Sequence, residues 1–312
     1  MKKMIMRRLL LGVFIMVFAS LLSFTLLYIA PGNPAQSILM ERTGEDPTYE
    51  EIELFMQQKD LDIPMVTQIT KWLYMAVRFD FGESLYTSQP VMEEFFDRFK
   101  ATTQLALISL VVSVPLALFI GVRSAAKNNL AFDHLGRFFT LLGMSIPEFW
   151  LGLMLMIIFS KTLNWLPSFG YGSYQNLIMP VATLVVGLTA SLSRIVRSSM
   201  LENLSQDYIT LARGNGLPRR IILINYALRN SLGPIVTAFG SQLGHLLAGS
   251  VVVETVFSWP GIGKFLIDSV YAHDYPVIQG FVLLIALMFV VINLITDILY
   301  AYIDPRIRCE RG

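Results

Sequence analysis

The chain has 312 residues, of which 54% are hydrophobic and 15% charged, with a formal net charge of +1. That balance is too apolar for a soluble domain and offers no charge-based case for binding nucleic acid. The single cysteine, Cys309, excludes an intramolecular disulfide and is expected to be an inert thiol near the end of the chain.

Residues 9–30 form an uncharged stretch of 22 residues behind Lys2, Lys3, Arg7 and Arg8. Its length exceeds the ~7–15 residues of a cleavable signal core and reaches the ~20 that cross a bilayer as a helix. An uncleaved first span is therefore expected. Residues 31–100 turn polar and acidic but keep apolar positions at helical spacing. Ile69, Leu73, Ala76 and Val77 do so after Pro64, and Val91, Phe95, Phe96 and Phe99 after Pro90. Short amphipathic helices packed on the membrane face, not a separate domain, are expected there.

Five more apolar stretches follow at residues 103–122, 138–160, 177–193, 232–257 and 277–303. The fold expected is an all-α polytopic membrane protein, one transmembrane domain of six helices with a long extracytoplasmic loop between helices 1 and 2. With the N-terminus inside, residues 1–8, 123–137, 194–229 and 306–311 hold 16 of the 24 basic residues. The positive-inside rule then places both termini in the cytoplasm. No repeat relates the first three helices to the last three.

Residues 194–231 join the fourth and fifth spans and cannot lie in lipid, because they carry Asp207, Arg213, Arg219, Arg220 and Arg229. A short helix over residues 206–213 is expected to end at Gly214, Asn215 and Gly216, which accept positive φ at little cost. A second helix is expected to begin at Pro218, whose fixed φ suits a first helical position.

Three ionisable groups fall inside spans, where a charge is expected to face a bundle interior, a water path or a partner. Glu148, behind the helix-kinking Pro147, is read as lining a translocation path or as a packing group. His245 is read as a structural group or a second path residue, and Asp297 as a tether to a neighbouring helix or an arginine. Gly240, Gly244 and Ala248 recur every four residues and invite close approach by another helix, within the chain or across a subunit interface. Residues 258–265 lack the first glycine and the final hydroxyl of a phosphate-binding loop. His134, His245 and His273 are scattered, so no metal site is expected.

Several stretches in order carry a likeness. They are Ala30 to Ala35 (APGNPA), Asp80 to Leu85 (DFGESL), Arg194 to Met200 (RIVRSSM), Asp207-Tyr208 and Ala212 to Leu217 (ARGNGL). Ala227 to Asn230 (ALRN), Val253 to Gly263 (VETVFSWPGIG), Asp274-Tyr275-Pro276 and Asp304-Pro305-Arg306 complete the series. Over nearly its whole length the chain resembles the inner-membrane permease subunits of ABC importers, in the dipeptide, oligopeptide and nickel group. The family's loop pattern is Glu-Ala-Ala, three residues, Gly, nine residues, Ile-x-Leu-Pro. With Gly216 as its glycine, this chain has Thr210-Leu211-Ala212 at the start and Tyr226, Leu228 and Arg229 at the end.

The resemblance implies a cytoplasmic coupling helix for ATPase subunits, with Asp207, Tyr208, Ala212, Arg213, Gly214, Gly216 and Leu217 as the coupling residues. It places Trp259, Pro260 and Gly261 near an outer gate and a docked solute-binding protein; Trp259 reads equally as an interfacial anchor. The implied partners are a second homologous permease in a heterodimer, two ABC ATPase subunits and an extracytoplasmic binding protein. ATP and Mg would sit on the ATPase subunits, with no cofactor or catalytic site in this chain. The implied location is a prokaryotic inner membrane and the implied cargo peptides, with nickel or a metal chelate as the alternative. An ion-coupled carrier is the rival class.

Overall fold

The computed structural model describes residues 2–29, 32–248 and 250–303. Ala30, Pro31, the Asp304-Pro305-Arg306 motif and Cys309 lie outside the described residues. The elements in order are α1 (Lys2–Ile29), α2 (Pro34–Thr43), α3 (Tyr49–Gln58), α4 (Met65–Ala76), α5 (Val91–Ala126), α6 (Ala131–Ser145) and α7 (Glu148–Leu155). There follow α8 (Tyr174–Leu204), α9 (Asp207–Gly214), α10 (Arg219–Ile221), α11 (Arg229–Leu247), α12 (Val251–Val256), α13 (Ile262–Tyr271) and α14 (Tyr275–Ile303). Wider π-helical turns prolong α7 over Met156–Thr162 and join α10 to α11 over Ile222–Leu228. Five helices are long and apolar enough to cross a bilayer, and the bent pair α6–α7 makes a sixth crossing when counted as one.

The expected spans are displaced where helices run on beyond the lipid. Residues 103–122 lie toward the C-terminal end of the 36-residue α5, about 54 Å long. The amphipathic helix expected after Pro90 is the first part of α5, where Phe95 packs edge-on against Phe281 at 5.2 Å. Residues 177–193 lie within the 31-residue α8. The span expected at 138–160 is broken, its halves meeting at 95°. Ile146 is extended (ψ 122°) ahead of Pro147, because the proline ring drives the preceding residue out of the α region. The span at 232–257 takes in α11, which runs to Leu247, and α12, which starts at Val251.

Small side chains set the helix spacing. Thr102, Ala106, Ser109, Ser113, Ala117, Gly121 and Ala125 of α5 are buried, as are the bulkier Met179, Leu184, Leu188, Leu192, Val196 and Met200 of α8. A Cβ on Gly121 would stand 2.6 Å from Val196 Cβ and 2.8 Å from the Ser193 carbonyl oxygen. Gly240 and Gly244 pack within the chain against α14: their added Cβ atoms would lie 2.0 Å from Thr296 Oγ1 and 3.1 Å from Phe289. Helix α1 approaches α14 through Gly12, opposite Val290. Asp297 does tether a neighbouring helix, through a 2.6 Å ion pair with Arg8.

In the long loop, Thr48 and Glu51 form a capping box at the start of α3. Ala35, Ile38, Phe55 and Leu85 make a small core of their own. Trp72 of α4 packs edge-on to Phe24 of α1 at 5.4 Å. Val77, expected on the apolar face of α4, is 81% exposed. It sits at the C-cap, past the last full turn.

Gly240→Ala should destabilise the protein by about 1–3 kcal/mol through overpacking. Thr296 Cβ itself lies 2.6 Å from the new atom, so no rotamer change relieves the clash. Gly244→Ala meets only the edge of the Phe289 ring and should have a smaller effect. Thermal unfolding of the two detergent-solubilised variants checks the order.

Candidate functional site

The charged loop is a rigid unit. Helix α9 ends in a Schellman motif, with Gly216 N–H donating to Arg213 O (3.0 Å) and Leu217 N–H to Ala212 O (3.2 Å). Gly216 supplies the left-handed residue at φ +73°. Gly214 and Asn215 do not share that task, contrary to expectation: Gly214 closes the helix and Asn215 has φ −78°. Pro218 sits one position before α10, not at its first turn. Ile209 and Ala212 are buried with Ile222, and Tyr208, Leu217 and Tyr226 pack around them. Tyr208 donates its hydroxyl to Asn203 Oδ1 (2.8 Å), and Asn203 Nδ2 donates to Ser231 Oγ (3.0 Å). These bonds fasten α9 to α8 and to the start of α11. The outward side presents Asp207, Thr210, Arg213 and an apolar Leu211 that is 68% exposed.

At the α6–α7 break, Glu148 opens α7 and is exposed. Its Oε1 lies 3.8 Å from where a Cβ on Gly187 would stand, and Gly187 belongs to the uncharged stretch of α8. The break is therefore at membrane depth. Among the described residues no side chain caps α7, and a helix start at this depth is tolerated only against protein or a water-filled cavity. His245 is also exposed, with its ring edge-on to Phe289 at 6.3 Å. The two residues lie on different helices beside different neighbours, α8 and α14, and no contact joins them among the described residues.

The third region is the segment of Trp259, Pro260 and Gly261, and it is built on a carboxylate that the sequence reading did not assign a role. Glu254 of α12 is fully buried and faces the N-terminus of α13. Thr102 of α5 donates its hydroxyl to Glu254 Oε1 (2.8 Å), and Lys264 N–H donates to Oε2 (3.0 Å). Ile262 N–H donates to Thr102 Oγ1 (2.9 Å). Two of the first three N–H groups of α13, those of Ile262 and Lys264, are thus satisfied by side chains from other helices. Gly261 has no room for a side chain, since a Cβ would lie 2.3 Å from the Glu254 carboxyl carbon. Nearby, Asp274 is 1% exposed and accepts from Ser84 Oγ (2.5 Å), Leu85 N–H (3.0 Å) and Tyr86 N–H (3.2 Å). That carboxylate ties the long loop to the start of α14.

Family models match both parts of the chain. Residues 1–106 match the N-terminal model, and residues 113–308 the main model, of the binding-protein-dependent transport system inner membrane component. The chain belongs to this family. The glutathione transport system permease protein of Salmonella paratyphi A is 40% identical over 293 residues, covering 94% of each chain. The dipeptide transport system permease protein of Alkalihalophilus pseudofirmus is 36% identical over 331 residues, covering 97% of this chain and 98% of that one. Among solved structures, the MetNI methionine ABC transporter in inward-facing conformations aligns with a TM-score of 0.55 at 18% identity. The alignment covers 69% of this chain and 96% of that one. An amino acid ABC transporter aligns with a TM-score of 0.52 at 16% identity over 69% and 94%. These two likenesses concern the fold.

The protein is thus a multi-pass permease, a transport subunit of an ABC importer. Within it, Ala212 is buried, so its part is packing rather than contact. Trp259 is 1% exposed, donates its indole N–H to Ala101 O (2.9 Å) and meets Tyr171 edge-on at 4.8 Å. That overturns the interfacial-anchor reading and keeps Trp259, like the buried Gly261, from touching a docked protein directly. Pro260 is half-buried and lines an open cavity of about 700 Å3 with Arg98, Lys264 and Asp268. Asp133, absent from the residues singled out by sequence, is buried and holds Arg197 at 2.6 and 2.8 Å. Its partner Arg197 lies 64 positions along the chain, on α8, so only the fold brings the two together.

Thr102→Val should lower stability by about 1–3 kcal/mol, because Ile262 N–H and Glu254 each lose a partner. Thr102→Ser keeps the hydroxyl and should stay near wild type. Glu254→Gln, which turns an amide donor toward a backbone N–H group, should be worse than Thr102→Val. Unfolding midpoints of the purified variants test the ranking.

Proposed function

We propose that this permease carries peptides inward, paired with a second homologous permease and driven by two ABC ATPase subunits that bind ATP and Mg. An extracytoplasmic binding protein would deliver the cargo. Peptide cargo is supported by the relatives named for glutathione and dipeptide transport. The distribution of basic residues supports cytoplasmic termini and a cytoplasmic α9.

The observation that carries this reading is the construction of α9. An eight-residue helix is anchored by Tyr208, Ala212 and Leu217 and turns Leu211, Asp207 and Arg213 outward. An exposed apolar side chain on a rigid short helix suits recognition in a groove of the ATPase surface. The Glu148 break, an uncapped helix start at membrane depth, suits a water-filled translocation path. His245 is assigned to the same path on the strength of its exposure on α11. Pro260 and the segment held by Glu254 belong to the outer gate.

Leu211→Glu should abolish co-purification of the ATPase chains and uptake of a dipeptide, while the permease still folds. Gly216→Val, with open space around its Cβ but a left-handed backbone, should weaken coupling through backbone strain of about 1–3 kcal/mol. Gly216→Asn should retain it. ATPase association and uptake unchanged in Leu211→Glu would sink the coupling assignment. Uptake by the permease alone, driven by a proton gradient, would favour a carrier instead.

For the path, Glu148→Gln in the assembled transporter should reduce uptake of a dipeptide with a free α-amine by about tenfold, one charge-assisted contact of ~1.5 kcal/mol. ATPase association should be unaffected. Equal uptake by variant and wild type removes Glu148 from the path.

A further inference from the structure

Helix α4, in the long loop, has an apolar surface wider than its packing uses. At ~100° per residue, Met65, Ile69, Trp72, Leu73 and Ala76 share one side, and all five pack into the core that α4 makes with α1 and α14. Val66, Thr70, Tyr74 and Val77 fall on the adjoining arc of ~80°, where Val66, Tyr74 and Val77 are 73%, 61% and 81% exposed. Phe79, just past the helix, is exposed as well. Single exposed apolar side chains are ordinary, but a row on one arc marks a contact surface.

The depth of this arc follows from α1. Phe24 stands six residues inside the loop end of the uncharged stretch 9–30, ~9 Å below the hydrocarbon edge at ~1.5 Å per residue. The Trp72 ring centroid is 5.4 Å from that of Phe24, and a side chain reaches ~6 Å from its helix axis. The axis of α4 at Trp72 therefore lies no more than ~2–3 Å outside the hydrocarbon. Val277, Phe281 and Leu284, at the start of the last span, share the same core and agree with that depth.

We infer that α4 lies in the membrane–water interface, with Val66, Val77 and Phe79 in the acyl region of a phospholipid leaflet and Tyr74 and Arg78 at headgroup level. Charge suits that partner: residues 63–79 carry Lys71 and Arg78 and no carboxylate, although Asp60, Asp62 and Asp80 stand close on either side. Arg78 lies 4.0 Å over the Tyr74 ring and donates to its hydroxyl. Such a pair settles at a headgroup layer, its apolar body toward the hydrocarbon and its polar tip toward water. With its axis at the hydrocarbon edge and side chains reaching ~6 Å below it, α4 matches the ~5–10 Å immersion of interfacial helices. The inference holds whichever side of the membrane the long loop occupies. The lipid contact would keep that loop, and with it the bond between Ser84 and Asp274, level with the membrane surface.

The test is spin-label accessibility in the assembled transporter, reconstituted in vesicles of equal parts phosphatidylethanolamine and phosphatidylglycerol. In a Cys309→Ser background, Val66→Cys, Val77→Cys and Lys71→Cys are labelled one at a time with a nitroxide. All three side chains are exposed, so no core packing is lost. Oxygen concentrates in hydrocarbon, whereas chromium oxalate stays in water. Collisions with oxygen should dominate at positions 66 and 77, and the preference should invert at position 71, ~140° around the helix from Val66. Dominance of chromium oxalate at 66 and 77 places the arc in water and overturns the proposal. A lipid signature at only one of the two shows a helix that crosses the interface and also overturns it. So does weak collision with both reagents, with or without the solute-binding protein added, which marks a protein covering the arc.

Discussion

The seam between α5 and α8 is the contact on which the other elements depend. Bilayer hydrocarbon gives apolar side chains no reason to leave lipid for one another, so helices associate where small residues permit close backbone approach. Ala106, Ser109, Ser113, Ala117 and Gly121 make such a surface on α5, matched by Leu184, Leu188, Leu192 and Val196 on α8. Every functional region hangs from this pair. Ala101 and Thr102 hold the 254–264 segment, Arg197 holds α6 through Asp133, and the end of α8 carries α9 through Asn203.

Buried polar groups then determine which loops are rigid. Glu254 and Asp274 are carboxylates placed where backbone N–H groups would otherwise go unbonded, one at the start of α13 and one at the 84–86 turn. Each is also bonded by a hydroxyl from a distant part of the chain, Thr102 or Ser84. Removing a partner from such a group leaves the other buried and unpaired, which costs more than the bond contributes when intact. The 254–264 segment therefore moves with α5, and the 84–86 turn with the start of α14.

Hydropathy made the number of crossings legible, because 20 uncharged residues have few other fates. It could not report where helices end, since α5 and α8 continue into protein surroundings and burial there does not depend on lipid. Nor could proline position alone: Pro115, Pro180 and Pro234 remain inside helices, while Pro147 stands at a break. The positive φ of Gly216 was readable from a Gly-Asn-Gly run, but its sharing with Gly214 was not a reliable inference, since a single left-handed residue completes the motif. The motifs Asp80 to Leu85 and Asp274-Tyr275-Pro276 are separate stretches of the sequence and two halves of one contact in the fold. Spacing within a stretch is visible in sequence, whereas pairing across 190 positions is a property of the fold.

The anchoring of α9 bears on how force applied there would spread. Tyr208, Asn203 and Ser231 link the short helix to the end of α8 and the start of α11, and Arg219 links the following turn to the end of α5. A displacement of α9 thus reaches three membrane-crossing helices at once, with no flexible tether to absorb it. Just ahead of α11 the regular ladder is interrupted by the π-helical turns at Ile222–Leu228, and such an irregularity is where a helix yields. Along α5 and α8 the interruptions among the described residues are the single prolines Pro115 and Pro180, each of which removes one ladder hydrogen bond, and no π-helical turn occurs there. Under the proposed docking, α5 and α8 would transmit motion as a rigid pair to the Glu254 segment, and α11 would bend to accommodate it.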